Sequence, residues 1–131
     1  MKKKIIILIS VLALFFVYFF AKPHVVYKQN ISVVPSVSVT FNTGSTIATV
    51  SGIIAPNAFQ ALSEAAKKQQ LEVKTKQYDF GVFIEQIGAL ANTKEKAWIY
   101  SVNGTVGEVA SDKYLVKQND VVEWKYTTPL Y

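Results

Sequence analysis

Residues Ala97–Tyr126 read AWIYSVNGTVGEVASDKYLVKQNDVVEWKY, and this stretch decides the fold. Trp98, Tyr100 and Val102 alternate with Ile99 and Ser101, which is the two-residue period of a β-strand. Asn103-Gly104 follows at once and suits a tight turn, because both residues tolerate positive φ. Lys113–Val116 reads as a second short strand and Gln118-Asn119-Asp120 as a second turn. Val121–Tyr126 is a third strand, with Val122, Trp124 and Tyr126 on one face and Val121, Glu123 and Lys125 on the other. Trp98 and Trp124 are the two tryptophans of the chain, so this stretch is expected to supply the heart of the core.

The segments upstream complete the plan. Ser36–Phe41 alternates Val37, Val39 and Phe41 against small polar residues, the pattern of a half-buried strand. Asn42–Ser45 is a turn, and Thr46–Ile54 returns as the partner strand, with Gly52 at the place for a bulge. Asn57 caps a helix, and Gln60 three residues on gives a capping-box-like pair. Phe59, Leu62 and Ala66 share one helical face, with Ala58 and Ala65 beside them, and Lys67-Lys68 sit at the negative helix end. Leu71–Lys76 and Val82–Ile87 read as further strands, and Gly88–Lys96 as a polar turn region. Two strands, one helix and about five more strands predict an α+β fold, with a single helix laid across one face of a mixed sheet.

The start of the chain has a different character. Ile5–Ala21 is a run of seventeen apolar or weakly polar residues between Lys2-Lys3-Lys4 and Lys22. As a helix it measures about 26 Å against a hydrocarbon core of about 30 Å, within reach of a span once the lysines snorkel. Three lysines on its N-terminal side direct that end to the cytoplasm. The competing reading is a cleaved signal peptide. With a cut after Ala21, Phe19 and Ala21 would stand at −3 and −1, a poor small-residue site, and the uncleaved anchor is preferred. The expected organisation is an N-terminal membrane anchor or signal segment (1–22), a stalk or linker (23–35) and a domain (36–131) outside the cytoplasmic membrane.

Composition narrows the chemistry. The chain has no cysteine, no arginine and one histidine, His24 in the stalk, which excludes thiolate and histidine-cluster sites. The net charge of +5 resides at the N-terminus: from residue 23 onward ten lysines face nine acids, so no nucleic-acid surface is expected. The acids are scattered, and no nucleophile stands in a motif with a base, so the expectation is a protein that is not an enzyme. Glu108 and Asp112 share one loop, but two carboxylates fall short of the six or more oxygens calcium takes. No metal site or cofactor is expected.

The motif W-x-Y-x-V-N-G, a loop, a Tyr-containing segment and N-D-x-x-E-W-x-Y-T resembles the transcobalamin-like C-terminal domain family (DUF4430-type). Phe80–Gly88 (FGVFIEQIG) is similar to the family's G-x-x-[VI]-x-x-I-x-G element, with Gly81, Ile84 and Ile87 matching. Trp98, Val102, Asn103, Gly104, Asp120, Trp124 and Tyr126 match the later element, and Asn119-Asp120 replaces its usual G-D. The likeness runs from about Val37 to Thr127. It implies a β-grasp-like mixed sheet with one packed helix, and a binding module for a corrinoid or similar flat ligand. In the vertebrate carriers a large helical domain clamps that ligand from the other side; a chain of 131 residues leaves no room for one. The same resemblance points to Phe80, Gly81 and Val82, and to Gly104, Val106 and Val109, as ligand-facing positions. The alternative is a structural or adhesive surface module that recognises a protein or glycan partner. The two readings separate on whether Phe80, Val82, Val106 and Val109 form one exposed apolar patch or bury one another.

Overall fold

The structure is a computed structural model that describes residues 32–129. The predicted anchor and residues 23–31 of the predicted stalk lie outside the described residues. Within them the chain is α+β, mostly sheet with one helix. Its elements are β1 (Ser36–Asn42), β2 (Ile47–Ile54), α1 (Ala58–Lys68), β3 (Val73–Tyr78), β4 (Gly81–Ile87), β5 (Leu90–Ala91), β6 (Ala97–Val102), β7 (Thr105–Val106) and β8 (Val121–Thr127).

The strands divide between two sheets rather than one. A five-stranded sheet has the order β2-β1-β8-β6-β7, and a three-stranded sheet the order β3-β4-β5. All pairs are antiparallel except β1 with β8, which run parallel through the middle of the larger sheet. The β1–β2 hairpin is irregular opposite Ser38, where Gly52 takes a positive φ of 69° and lets β2 bulge. One face of the large sheet carries Val37, Val39, Val122, Trp124, Trp98 and Tyr100 into the core. Helix α1 covers part of it with Ala58, Ala61, Leu62, Ala65 and Ala66, all fully buried. Four alanines among these five let the helix backbone approach the sheet closely.

The predicted strand Lys113–Val116 is not one. It is a turn followed by a single bridge between Asn57 and Leu115. The physical reason lies at the start of α1. A helix N-terminus carries orphan N–H donors, and here Ala58 N donates to the Tyr114 carbonyl and Phe59 N to the Ser111 carbonyl, both at 3.0 Å. Val116 N in turn donates to the Pro56 carbonyl. The backbone of 111–116 is consumed by the helix start and cannot form a ladder. Asn57 caps α1 as expected, its Oδ1 accepting from Gln60 N at 2.8 Å.

The turn at Asn103-Gly104 has both residues at positive φ, 51° and 84°, and Asn119 also lies at 68°. Asn103 does more than turn the chain. Its Oδ1 accepts from Val121 N, and its Nδ2 donates to Asp120, whose other oxygen accepts from Lys117 N. The β6–β7 turn is thereby fixed to the entry of β8.

Candidate functional site

The two sheets meet edge to edge. β4 and β6 run alongside each other in opposite directions, without a ladder between them. At one end Asn92 joins them: its Nδ2 donates to the Ile84 carbonyl at 2.8 Å and its Oδ1 accepts from Trp98 N at 3.0 Å. The Trp98 indole N–H donates to the Leu90 carbonyl beside it. At the other end the loop after β7 closes the gap. Gly107 N donates to the Tyr100 carbonyl, and Asp112 Oδ1 accepts from Val82 N at 2.9 Å. Between these two ends lies a cleft of about 230 Å³.

The cleft is apolar. Val82, Phe83 and Ile84 form one wall, and Trp98, Ile99 and Tyr100 the other. Val106, Val109 and Ala110 close the loop end, Phe80 stands at the mouth, and Trp124 and Ser111 lie at depth. Phe80, Val106 and Val109 are 61%, 58% and 51% exposed, so the rim is open to solvent. Phe80 stacks on Tyr78 at 5.1 Å, and Phe83 meets Tyr78 edge-on, which gives the mouth an exposed aromatic flank. About 150 Å³ suffices for a single benzene ring, whereas pockets that engulf a drug-sized ligand run from about 300 Å³ upward. This cleft therefore admits one ring, one side chain or a short extended segment, and a larger molecule would rest on its rim.

Electrostatics at the loop end favour closure. The bond from Val82 N holds the Asp112 carboxyl below the usual carboxylate range; partial burial opposes that shift, and Lys113, 3.0 Å away, adds to it. Burial raises the Tyr100 phenol above its ordinary value, with Tyr114 and Asp112 contributing, so it stays neutral and donates to the Val109 carbonyl. Ser111 Oγ and the Trp124 indole N–H are buried without a partner among the described residues.

Of the residues singled out from sequence, Phe80, Val82, Val106 and Val109 line this one cleft. Gly81 lies behind the wall: a Cβ there would collide with Asp112 Oδ1 and Ala110, so its bareness lets the loop close on β4. Gly104 lies away from the cleft, at the tip of its turn with open space around it. Sequence reasoning missed Asn92, which fell inside a polar turn region, and the structural use of Asp112. A second depression of about 360 Å³ lies over the outer sheet face, bordered by Ser101, Glu123, Lys125 and Thr127. It is larger, but Tyr100 is its one aromatic lining residue, where the β4–β6 cleft has Phe80, Phe83, Trp98, Tyr100 and Trp124, and the β4–β6 cleft is the stronger candidate.

The family model described as Domain of unknown function (DUF4430) matches residues 57–128, more than half of the chain. The chain belongs to the DUF4430 family. The matched span of this DUF4430 chain begins at the α1 cap and contains the whole cleft. No curated protein matches it in sequence. Solved structures share its fold, two of them as follows. A protein from Ruminococcus gnavus ATCC 29149, described as a "putative metal binding protein", aligns with a TM-score of 0.59 at 18% identity, over 73% of this chain and 99% of that one. Haptocorrin in complex with Cbi aligns with a TM-score of 0.61 at 16% identity, over 73% of this chain. The match spans 25% of the haptocorrin chain. At these identities the likeness is one of fold, and the fold is transcobalamin-like. Among the described residues of this DUF4430 chain, no three of His, Cys, Asp and Glu group together as a metal ion would require.

Proposed function

We propose that this chain is a membrane-anchored extracytoplasmic binding module for a corrinoid or similar flat ligand. One observation carries the reading: Phe80, Val82, Val106 and Val109, drawn from distant parts of the chain, line a single open apolar cleft. The likeness to haptocorrin, solved with Cbi, supports the ligand class. The apolar run Ile5–Ala21, flanked by lysines, supports the anchor. The parallel pairing of β1 with β8 and the helix on one sheet face support the β-grasp-like layout. The mechanism is non-covalent. The ring edge enters the cleft, while Phe80, Val106 and Val109 press on its face. The alternative, a surface module for a protein or glycan partner, is favoured by the exposed Tyr78–Phe80–Phe83 cluster.

The test is equilibrium dialysis of the full chain against cobalamin and cobinamide. Saturable one-to-one binding, weakened by Val106→Asp or Phe80→Ala, is expected; both side chains are exposed, so both variants should fold. No binding up to about millimolar ligand, where an interaction is worth only about 4 kcal/mol, would discard the corrinoid.

A further inference from the structure

The far edge of the large sheet has a property unrelated to the cleft. β2 is the terminal strand there, and among the described residues it pairs with β1 alone. One bond shows which of its backbone groups are free. Thr43 N donates to the Thr46 carbonyl at 3.0 Å, so these two residues form a hydrogen-bonded pair at the head of the β1–β2 hairpin. Such pairs alternate with non-bonded ones along an antiparallel ladder. With Phe41 opposite Ala48 and Val39 opposite Val50, it is Ala48 and Val50 that turn their groups to β1. Ile47, Thr49 and Ser51 turn theirs outward, and none of these groups is taken up among the described residues. A row of unpaired groups is a template for another strand. Beyond Ser51 the bulge at Gly52, with its φ of 69°, ends the row.

The side chains leave this template unguarded. Edge strands are ordinarily protected by lysines, other charges or proline. The edge strand β3 follows that rule, with Lys74 and Lys76 both exposed. β2 reads IATVSGII, and no charged residue occurs anywhere between Lys28 and Glu64. Ile47 is 68% exposed. Thr49 and Ser51 lie on the outer face of the sheet, where their hydroxyls bond those of Thr40 and Ser38.

The free row is symmetric about its centre, and that symmetry selects the occupant. Two antiparallel copies related by a two-fold axis at Thr49 set Thr49 against Thr49 and Ile47 against Ser51. Every outward group then meets an outward group of the other copy, and each pair exchanges both its bonds. Ala48 stands beside Val50 on the core side, and no like charges face each other. We propose that β2 is a self-pairing edge, through which two copies of this chain join along Ile47–Ser51 and continue their large sheets into one. The strand order puts this edge on the far side of the sheet from the β4–β6 cleft, so the pairing leaves the cleft of each copy open. It goes beyond the corrinoid reading and does not rest on it.

The test uses the ¹⁵N-labelled full chain in mild detergent, without cobinamide, at protein concentrations from about 10 µM to about 1 mM, the upper limit reaching interactions of about 4 kcal/mol. Sedimentation equilibrium is expected to show the mass rising from one chain to two. In step with it, amide exchange at Ile47, Thr49 and Ser51 should slow by about tenfold or more. Thr49→Lys sets two ammonium groups against each other at the axis and should weaken pairing by about tenfold or more, or about 1.4 kcal/mol. Exchange at Ala48 and Val50, which face β1, should stay as in the parent and shows that the variant is folded. A single chain at every concentration would overturn the proposal. So would a pair that Thr49→Lys leaves as tight, which would place the contact elsewhere. Protection of the three outward amides that does not change with concentration would also overturn it, in favour of residues 23–31 of the same chain as the occupant. Cobinamide binding is measured separately on both proteins, and its failure leaves the pairing standing.

Discussion

Asp112 shows how much one side chain can hold in this fold. Its Oδ1 reaches across from the loop to Val82 N, and the approach exists because Gly81 presents no Cβ to it. A bond from a backbone N–H to a charged carboxylate is stronger than one to a neutral oxygen. The carboxyl is held below its ordinary range, so its contribution is fully present above the unfolded value near about 3.9 and is lost as pH falls through the folded value. Asp112→Asn keeps an oxygen in place but removes the charge. It is expected to cost about 1 kcal/mol at pH 7, or about 5 °C in Tm for a domain of this size. Thermal melts across pH provide the check. The gap between wild type and variant should close as pH falls through the lowered folded value of Asp112; a gap that persists in strong acid would mean the charge is not what holds the loop. None of this was legible in the sequence. Asp112 stood in a loop as one of several scattered acids, and its partner lies thirty positions upstream.

Elements were legible where their own pattern determined them. The alternation of Trp98, Tyr100 and Val102, the cap at Asn57 and the turn at Asn103-Gly104 all rest on local chemistry, and all are present. Lys113–Val116 failed for the opposite reason. Its strand-like residues are overruled by a helix start nearly sixty positions earlier, where Ala58 N takes the Tyr114 carbonyl and the Pro56 carbonyl takes Val116 N. The two-residue strands β5 and β7 carry no pattern long enough to read. Because α1 is stitched to that segment, its cap has a reach beyond the helix. Asn57→Ala is expected to destabilise the chain by about 1 kcal/mol. It should also speed amide exchange at Ala58 and Phe59, whose acceptors lie in the 111–116 segment. Unchanged exchange at those two amides, despite a lower midpoint in a urea titration, would confine the cap's effect to the helix.

At the scale of the whole molecule, the association of two sheets through Asn92 was the least readable feature. A single amide with a donor on one edge and an acceptor on the other leaves no periodic trace. Asn92→Ala removes two partly buried bonds and strands the Ile84 carbonyl and Trp98 N, which should cost about 2 kcal/mol. Tryptophan fluorescence during denaturant unfolding measures that loss, and a variant as stable as the parent would show that apolar contact alone joins the sheets. The parallel pair of β1 with β8 carries a consequence for biogenesis. Among the described residues the first strand finds its second neighbour only in the last one, so the central sheet cannot assemble until Val121–Thr127 has left the ribosome. Until then the hairpin of β1 and β2 waits with one long edge bare, and contacts so far apart in sequence form slowly. The emerging chain is thus most exposed to chaperones, proteases and its own neighbours in the interval before its final strand arrives.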